Sequence, residues 1–129
     1  FIVLLSFTFF FASINVGFAQ KKKWKQFHAS KSVTMYFSPK SLKGTAIKQV
    51  AVLLNFSTSQ TTSDGKKVRS IRMIQNYDCT TSRFRLRSGI NYSEEMLKGN
   101  EVSSGREITP WRIVPNGTPY SKLMKKICD

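Results

Sequence analysis

The chain has 129 residues, 21 of them Lys or Arg against 7 Asp or Glu, with one His and two Cys and a formal net charge of +14. That length fits one domain. One histidine and two cysteines leave no ligand set for a zinc site, and the charge points to acidic partners: nucleic acid, anionic lipid, acidic polysaccharide or acidic protein.

The first stretch, "FIVLLSFTFFFASINVGFAQ", carries no charge. Phe1 to Ile14 reads as the apolar core of a secretory signal peptide, and Gly17 and Ala19 take the small-residue positions before a cut between Ala19 and Gln20. Ser13, Asn15 and Gly17 interrupt a run already short for a membrane span. No basic segment precedes Phe1, so the precursor is expected to start further upstream. Residues 1–19 are thus expected to be removed, leaving residues 20–129 as a single domain. In an exported chain the two cysteines predict one disulfide, Cys79–Cys128. A bridge closing a loop of roughly 50 residues contributes about 4 kcal/mol in the chain-entropy model.

Lys21 to His28 begins basic and then brings Trp24 and Phe27. In Ser32–Phe37 the residues Val33, Met35 and Phe37 alternate with Ser32, Thr34 and Tyr36, the period of a strand. Pro39 and the Ser41–Gly44 segment make a turn. Ile47–Phe56 is apolar and β-branched, a central strand. Ser57–Lys67 is polar and reads as a long loop, with Asp64-Gly65 as its hairpin signal. Val68–Cys79 is the next strand, its odd positions Ile71, Met73, Gln75, Tyr77 and Cys79 sharing one face. In Thr81–Tyr92 the alternation points Phe84, Leu86 and Ile90 one way and Arg83, Arg85 and Arg87 the other. Residues 93–109 are polar, with Met96, Leu97, Val102 and Ile108 as candidates for burial. Trp111 and Ile113 lie on a short extended piece.

The tail predicts a helix. Thr118 suits the N-cap and Pro119 the first helical position. Tyr120, Leu123, Met124 and Ile127 fall on one stripe, with Lys122, Lys125 and Lys126 on the other face. Cys128 lies beside Met124 at the stripe's edge. A helix this short is marginal in water alone. The apolar odd face ending at Cys79 offers it both a surface and a thiol, so the predicted fold is α+β: an antiparallel sheet with a C-terminal helix disulfide-tethered to one face.

Catalytic constellations are missing from the pattern. His28 is the only histidine, and Glu94 and Glu95 are adjacent, so on a strand they point to opposite faces, a poor acid/base pair. Neither an enzyme nor a cofactor is expected. The chemistry that remains is the row Arg83, Arg85, Arg87, with Arg72 on the preceding strand as an added neighbour. Arginines at strand spacing, about 6.8 Å between alternate residues, can meet sulfate, phosphate or carboxylate groups bidentately. Specific nucleic-acid binding is not expected, because Phe84 faces away from the row.

The segments "MYFSPKSLKG", "VAVLLNF", "RSIRMIQNYDCTTSRFRLRS" and "PWRIVPNGTPYSKLMKKICD", with Trp24 before them, together resemble the surface-adhesin protein E family of Gram-negative bacteria. The stretch from Cys79 through Trp111 to the final Ile127-Cys128 carries most of the resemblance. The family segment usually has an aspartate after its tyrosines, where this chain has Phe37 and Ser38. The resemblance implies an antiparallel sheet of about six strands and a C-terminal helix held to one face by the disulfide. It also implies host matrix or plasma proteins as partners, and a homodimer. The expected location is the periplasm or the cell surface. A small exported binding module that uses a basic face is the first reading. The alternative is a periplasmic, envelope-associated structural protein held to anionic lipid or glycan.

Overall fold

The alternation of apolar and polar residues from Val33 to Tyr92 produces strands that pair in sequence order. A computed structural model describes residues 23–129; the expected leader, residues 1–19, lies outside them, as do Lys21 and Lys22. The strands are β1 (Lys25–Ala29), β2 (Val33–Phe37), β3 (Ile47–Thr61), β4 (Lys67–Asp78), β5 (Arg83–Tyr92), β6 (Glu101–Gly105) and β7 (Arg112–Ile113). They form one antiparallel sheet in the order β1-β2-β3-β4-β5-β6, with β7 also pairing β5. The helix α1 (Pro119–Cys128) follows.

Register fixes which residues share a face, because directly paired residues point the same way. Met35 pairs Leu54, Phe37 pairs Val52, Val52 pairs Met73, and Tyr77 pairs Phe84. This inner face carries the core: Phe27, Met35, Phe37, Val50, Val52 and Tyr77 are buried together with Val114, Leu123 and Ile127. The helix is what closes it. Thr118 accepts a hydrogen bond from Ser121 N–H at its N-terminus, Pro119 opens the first turn, and Leu123 and Ile127 are buried. At about 1.5–3 kcal/mol for each fully buried side chain, those two residues offset only part of the cost of ordering the helix, about 1–2 kcal/mol per residue, which leaves a role for the tether. Tyr77, Phe84 and Tyr120 stack with ring centroids 5.9 and 4.9 Å apart. The Tyr77 hydroxyl, buried, donates to Gln75 Oε1 at 2.7 Å. Cys79 and Cys128 are bonded, with Cα atoms 5.6 Å apart, which joins the end of β4 to the end of α1.

Three expectations are corrected. Ser57–Lys67 is not a long loop. β3 continues to Thr61, and a turn over residues 62–66 closes the hairpin, with Thr62 bonded to the Asp64 carboxylate and Gly65 at φ 84°. Ile90 does not share a face with Phe84 and Leu86. Leu86 pairs Gln75 and Ser88 pairs Ile74, so Arg87 is an extra residue, a β-bulge that reverses the parity of the rest of β5. Ile90 therefore joins Arg72 on the outer face. In the 93–109 segment Leu97 and Val102 are half-buried, but Met96 and Ile108 are exposed.

Glu94 and Glu95 do not lie on a strand. Residues 95–97 form a 3-10 turn in which Met96 and Leu97 both have positive φ. Fully buried Ser70 holds it: its hydroxyl donates to Glu94 O at 2.6 Å and accepts from Leu97 N–H at 2.9 Å. Asn55 Oδ1 accepts from Met96 N–H at 2.8 Å, and Glu95 forms an ion pair with Arg69.

Candidate functional site

The outer face is a sheet surface that α1 leaves uncovered, with the 3-10 turn at residues 95–97 resting on one end of it through Ser70 and Asn55. Ala51 and Leu53 are buried at its centre, flanked in register by half-buried Tyr36, Arg72 and Ile74. The four candidate arginines are not equivalent on it.

Arg85 is the one that is held. Its Nε donates to Asn76 Oδ1 at 3.1 Å, and Asn76 is buried and directly opposite it across the ladder. Its guanidinium lies over the Trp111 ring, 4.3 Å from the centroid. Among the described residues neither terminal nitrogen has a partner, and no carboxylate lies within ion-pair range. A guanidinium fixed at its Nε and by its flat face presents the outer fork of N–H groups that matches carboxylate, sulfate or phosphate. Stacking on an aromatic also orders it before any ligand arrives.

Arg83 sits two residues along β5 on the same face, exposed, and pairs with Asp78. The Asp78 carboxylate accepts from the N–H groups of Thr80 and Thr81 at 3.0 and 3.2 Å. Desolvation pushes this carboxyl up. The amides of Thr81 and Thr80 and the Arg83 charge outweigh it, leaving Asp78 below the usual carboxylate range. Arg83 and Asp78 are neighbours in register but form no ion pair. Arg87 is half-buried at the bulge, without a cross-strand partner on β4.

Arg72 does not extend the row. It is on the outer face but four residues along β4 from Asn76, a distance of about 13 Å at strand rise. In register it lies between Leu53 and Ile90, half-buried. Its aliphatic stem covers buried Leu53 while its head reaches water. The pattern-based reading missed Asn76 and Trp111. An asparagine in register with an arginine was the available signal, but the register had to be known first.

Among the described residues no three His, Cys, Asp or Glu side chains come together as a metal site. No helix among them is long and apolar enough to cross a membrane.

No curated protein matches this chain significantly. Solved structures of Haemophilus influenzae protein E share its fold. One superposes with a TM-score of 0.65 at 12% identity, covering 82% of this chain and 83% of that one. A second crystal form gives 0.67 at 12% identity over 82% and 87%. The protein from non-typeable Haemophilus influenzae gives 0.62 at 16% identity over 82% and 75%. A family model described as surface-adhesin protein E matches residues 24–129, the sheet, the helix and both cysteines included, and the chain belongs to that family.

Proposed function

We propose that this chain is an exported, adhesin-like binding module that engages acidic partners through its outer sheet face, with Arg85 as the anchor. Membership of a surface-adhesin family supports the adhesin-like role and a place at the cell surface. The observation that carries the acidic partner is the seat of Arg85: hydrogen-bonded to buried Asn76, stacked on Trp111, and free of any carboxylate among the described residues. Arg83 and Arg87 add charge beside it. Surface charge sets encounter and orientation, and the held guanidinium supplies geometry. The partners this chemistry suits are sulfated or carboxylated surfaces, such as acidic segments of host matrix or plasma proteins.

The test is capture of ligands by purified residues 20–129 at low and physiological salt. The prey are host matrix proteins and, separately, an envelope extract; antibody access to the protein on intact cells is measured in parallel. The reading predicts capture of acidic matrix components, persisting at physiological salt, together with surface access. Capture only of envelope lipid or glycan, with no antibody access, would instead support the envelope-associated reading.

A further inference from the structure

The helix covers only part of the inner face. Beyond it, over β4 and β5, lies a cleft of about 600 Å³ whose apolar lining includes Ile71, Met73, Leu86 and Ile108. A smaller hollow of about 210 Å³ shares Met73, Leu86 and Thr109 with it and continues toward Tyr120. The two form one groove. Its outer wall is the segment after β6, which is fastened to β5: Thr109 N–H donates to Leu86 O at 3.0 Å, and Leu86 N–H donates to Thr109 Oγ1 at 2.9 Å.

Two glycines make the groove. Gly89 and Gly105 are directly paired across β5 and β6 on the inner face. Neither has the left-handed φ that would require glycine. A Cβ on Gly89 would meet nothing nearer than Met73 Cγ at 3.9 Å, and one on Gly105 nothing within 4 Å. Glycine weakens a strand interior, and its use there often marks a place where something else approaches the backbone. With side chains at both positions the trough would be filled.

The ends of the groove differ in charge. Glu107 lines the end near β6. Arg112 lines the other end, exposed and without an ion pair or hydrogen-bond partner among the described residues. The floor from Ile71 to Gln75 is about 13 Å long at strand rise. Apolar walls, a volume within the range of small-molecule sites and two cations, Arg112 and Arg85, at one end describe a receptor for one linear apolar chain with a negative head.

We propose that this inner-face groove binds a free single-chain anionic amphiphile, its chain lying over Gly89 and its head group on Arg112. Of the outer-face arginines only Arg85 borders the groove, at its Arg112 end. Laurate is the probe, titrated calorimetrically into residues 20–129, with dodecanol as the uncharged comparison. Laurate is expected to bind about tenfold or more tightly than dodecanol, the margin of a charge-assisted contact. Gly89→Leu fills the trough without backbone strain and should abolish binding while the thermal midpoint holds. Gly105→Val, at the sheet edge, is the second variant and should weaken binding also. Arg112→Gln should erase the preference for laurate over dodecanol. Arg83→Gln/Arg87→Gln, which changes no residue lining the groove, should leave laurate binding as in the parent, which separates this site from the acidic-partner reading. Parental laurate affinity in folded Gly89→Leu or Gly105→Val would overturn the proposal. So would a parent that ignores laurate but is captured by phosphatidylglycerol vesicles in a Gly89-dependent way, which would assign the groove to a bilayer.

Discussion

Arg85 and Arg83 stand two residues apart on one face, yet their surroundings separate them. Asn76 and Trp111 fix the first, while the second is exposed beside Asp78 with no hydrogen bond or ion pair of its own among the described residues. Alternation in the sequence gives the face of each arginine, but not its neighbours, because those come from β4 and from the residue just before β7 and depend on register. Asp78 also makes a testable electrostatic contribution. Its carboxyl is held below the usual range, so the ionised form is favoured by the folded turn. The stability this gives is present at neutral pH, above the unfolded pKa, and is lost as pH falls through the lowered folded value. Asp78→Ala should therefore lower the urea midpoint at neutral pH, with the gap to the parent shrinking in strong acid. A gap that is constant with pH would mean the carboxylate's charge plays no part.

The strands and the helix were legible to different degrees. β2, the first half of β3, β4 and α1 follow directly from period, caps and apolar runs, since each buries one face against the same core. The second half of β3 was not legible. Ser57–Thr61 is exposed on both faces and extends past the core, so no apolar alternation marks it as strand. The bulge at Arg87 was hidden for another reason: residues on both sides of it alternate correctly by themselves, and only pairing with β4 reveals the extra residue. Ser88-Gly89 just after it was the one local hint, since glycine in a strand often accompanies a bulge. The helix depends on its tether. Cys128→Ser should cost a few kcal/mol, since removing a native disulfide from a small domain typically costs 2–5 kcal/mol. It should also open Lys122, Lys125 and Lys126 to trypsin. Unfolding in denaturant and limited proteolysis read the two effects; a variant as stable and as resistant as the parent would mean packing of Leu123 and Ile127 suffices alone.

Taken as a whole, the molecule is a single sheet with a helix over part of one face. The inner face is divided between a core under α1 and an open apolar groove, and the outer face buries Ala51, Leu53 and Ser70 and carries the arginines beside them. Both the sheet and the tethered helix could be read from the sequence, because burial patterns and cysteines are local signals. The seat of Arg85 could not, because it joins residues from three strand regions. The lysines of α1, by contrast, are exposed: Lys122 Nζ lies 3.1 Å from His28 Nδ1, and Lys125 and Lys126 have no side-chain partner among the described residues.

That contrast supplies the most direct measurement: elution from a heparin column in a salt gradient, for two variants that each lose three positive charges. One replaces Arg83, Arg85 and Arg87 with Gln; the other replaces Lys122, Lys125 and Lys126 with Gln. If the outer face is the binding surface, the arginine variant elutes at clearly lower salt than the lysine variant; circular dichroism checks that both are folded, since losing Arg85 leaves buried Asn76 without its hydrogen-bond donor. Equal shifts for the two variants would mean that total charge governs binding, and would contradict a site built around Arg85.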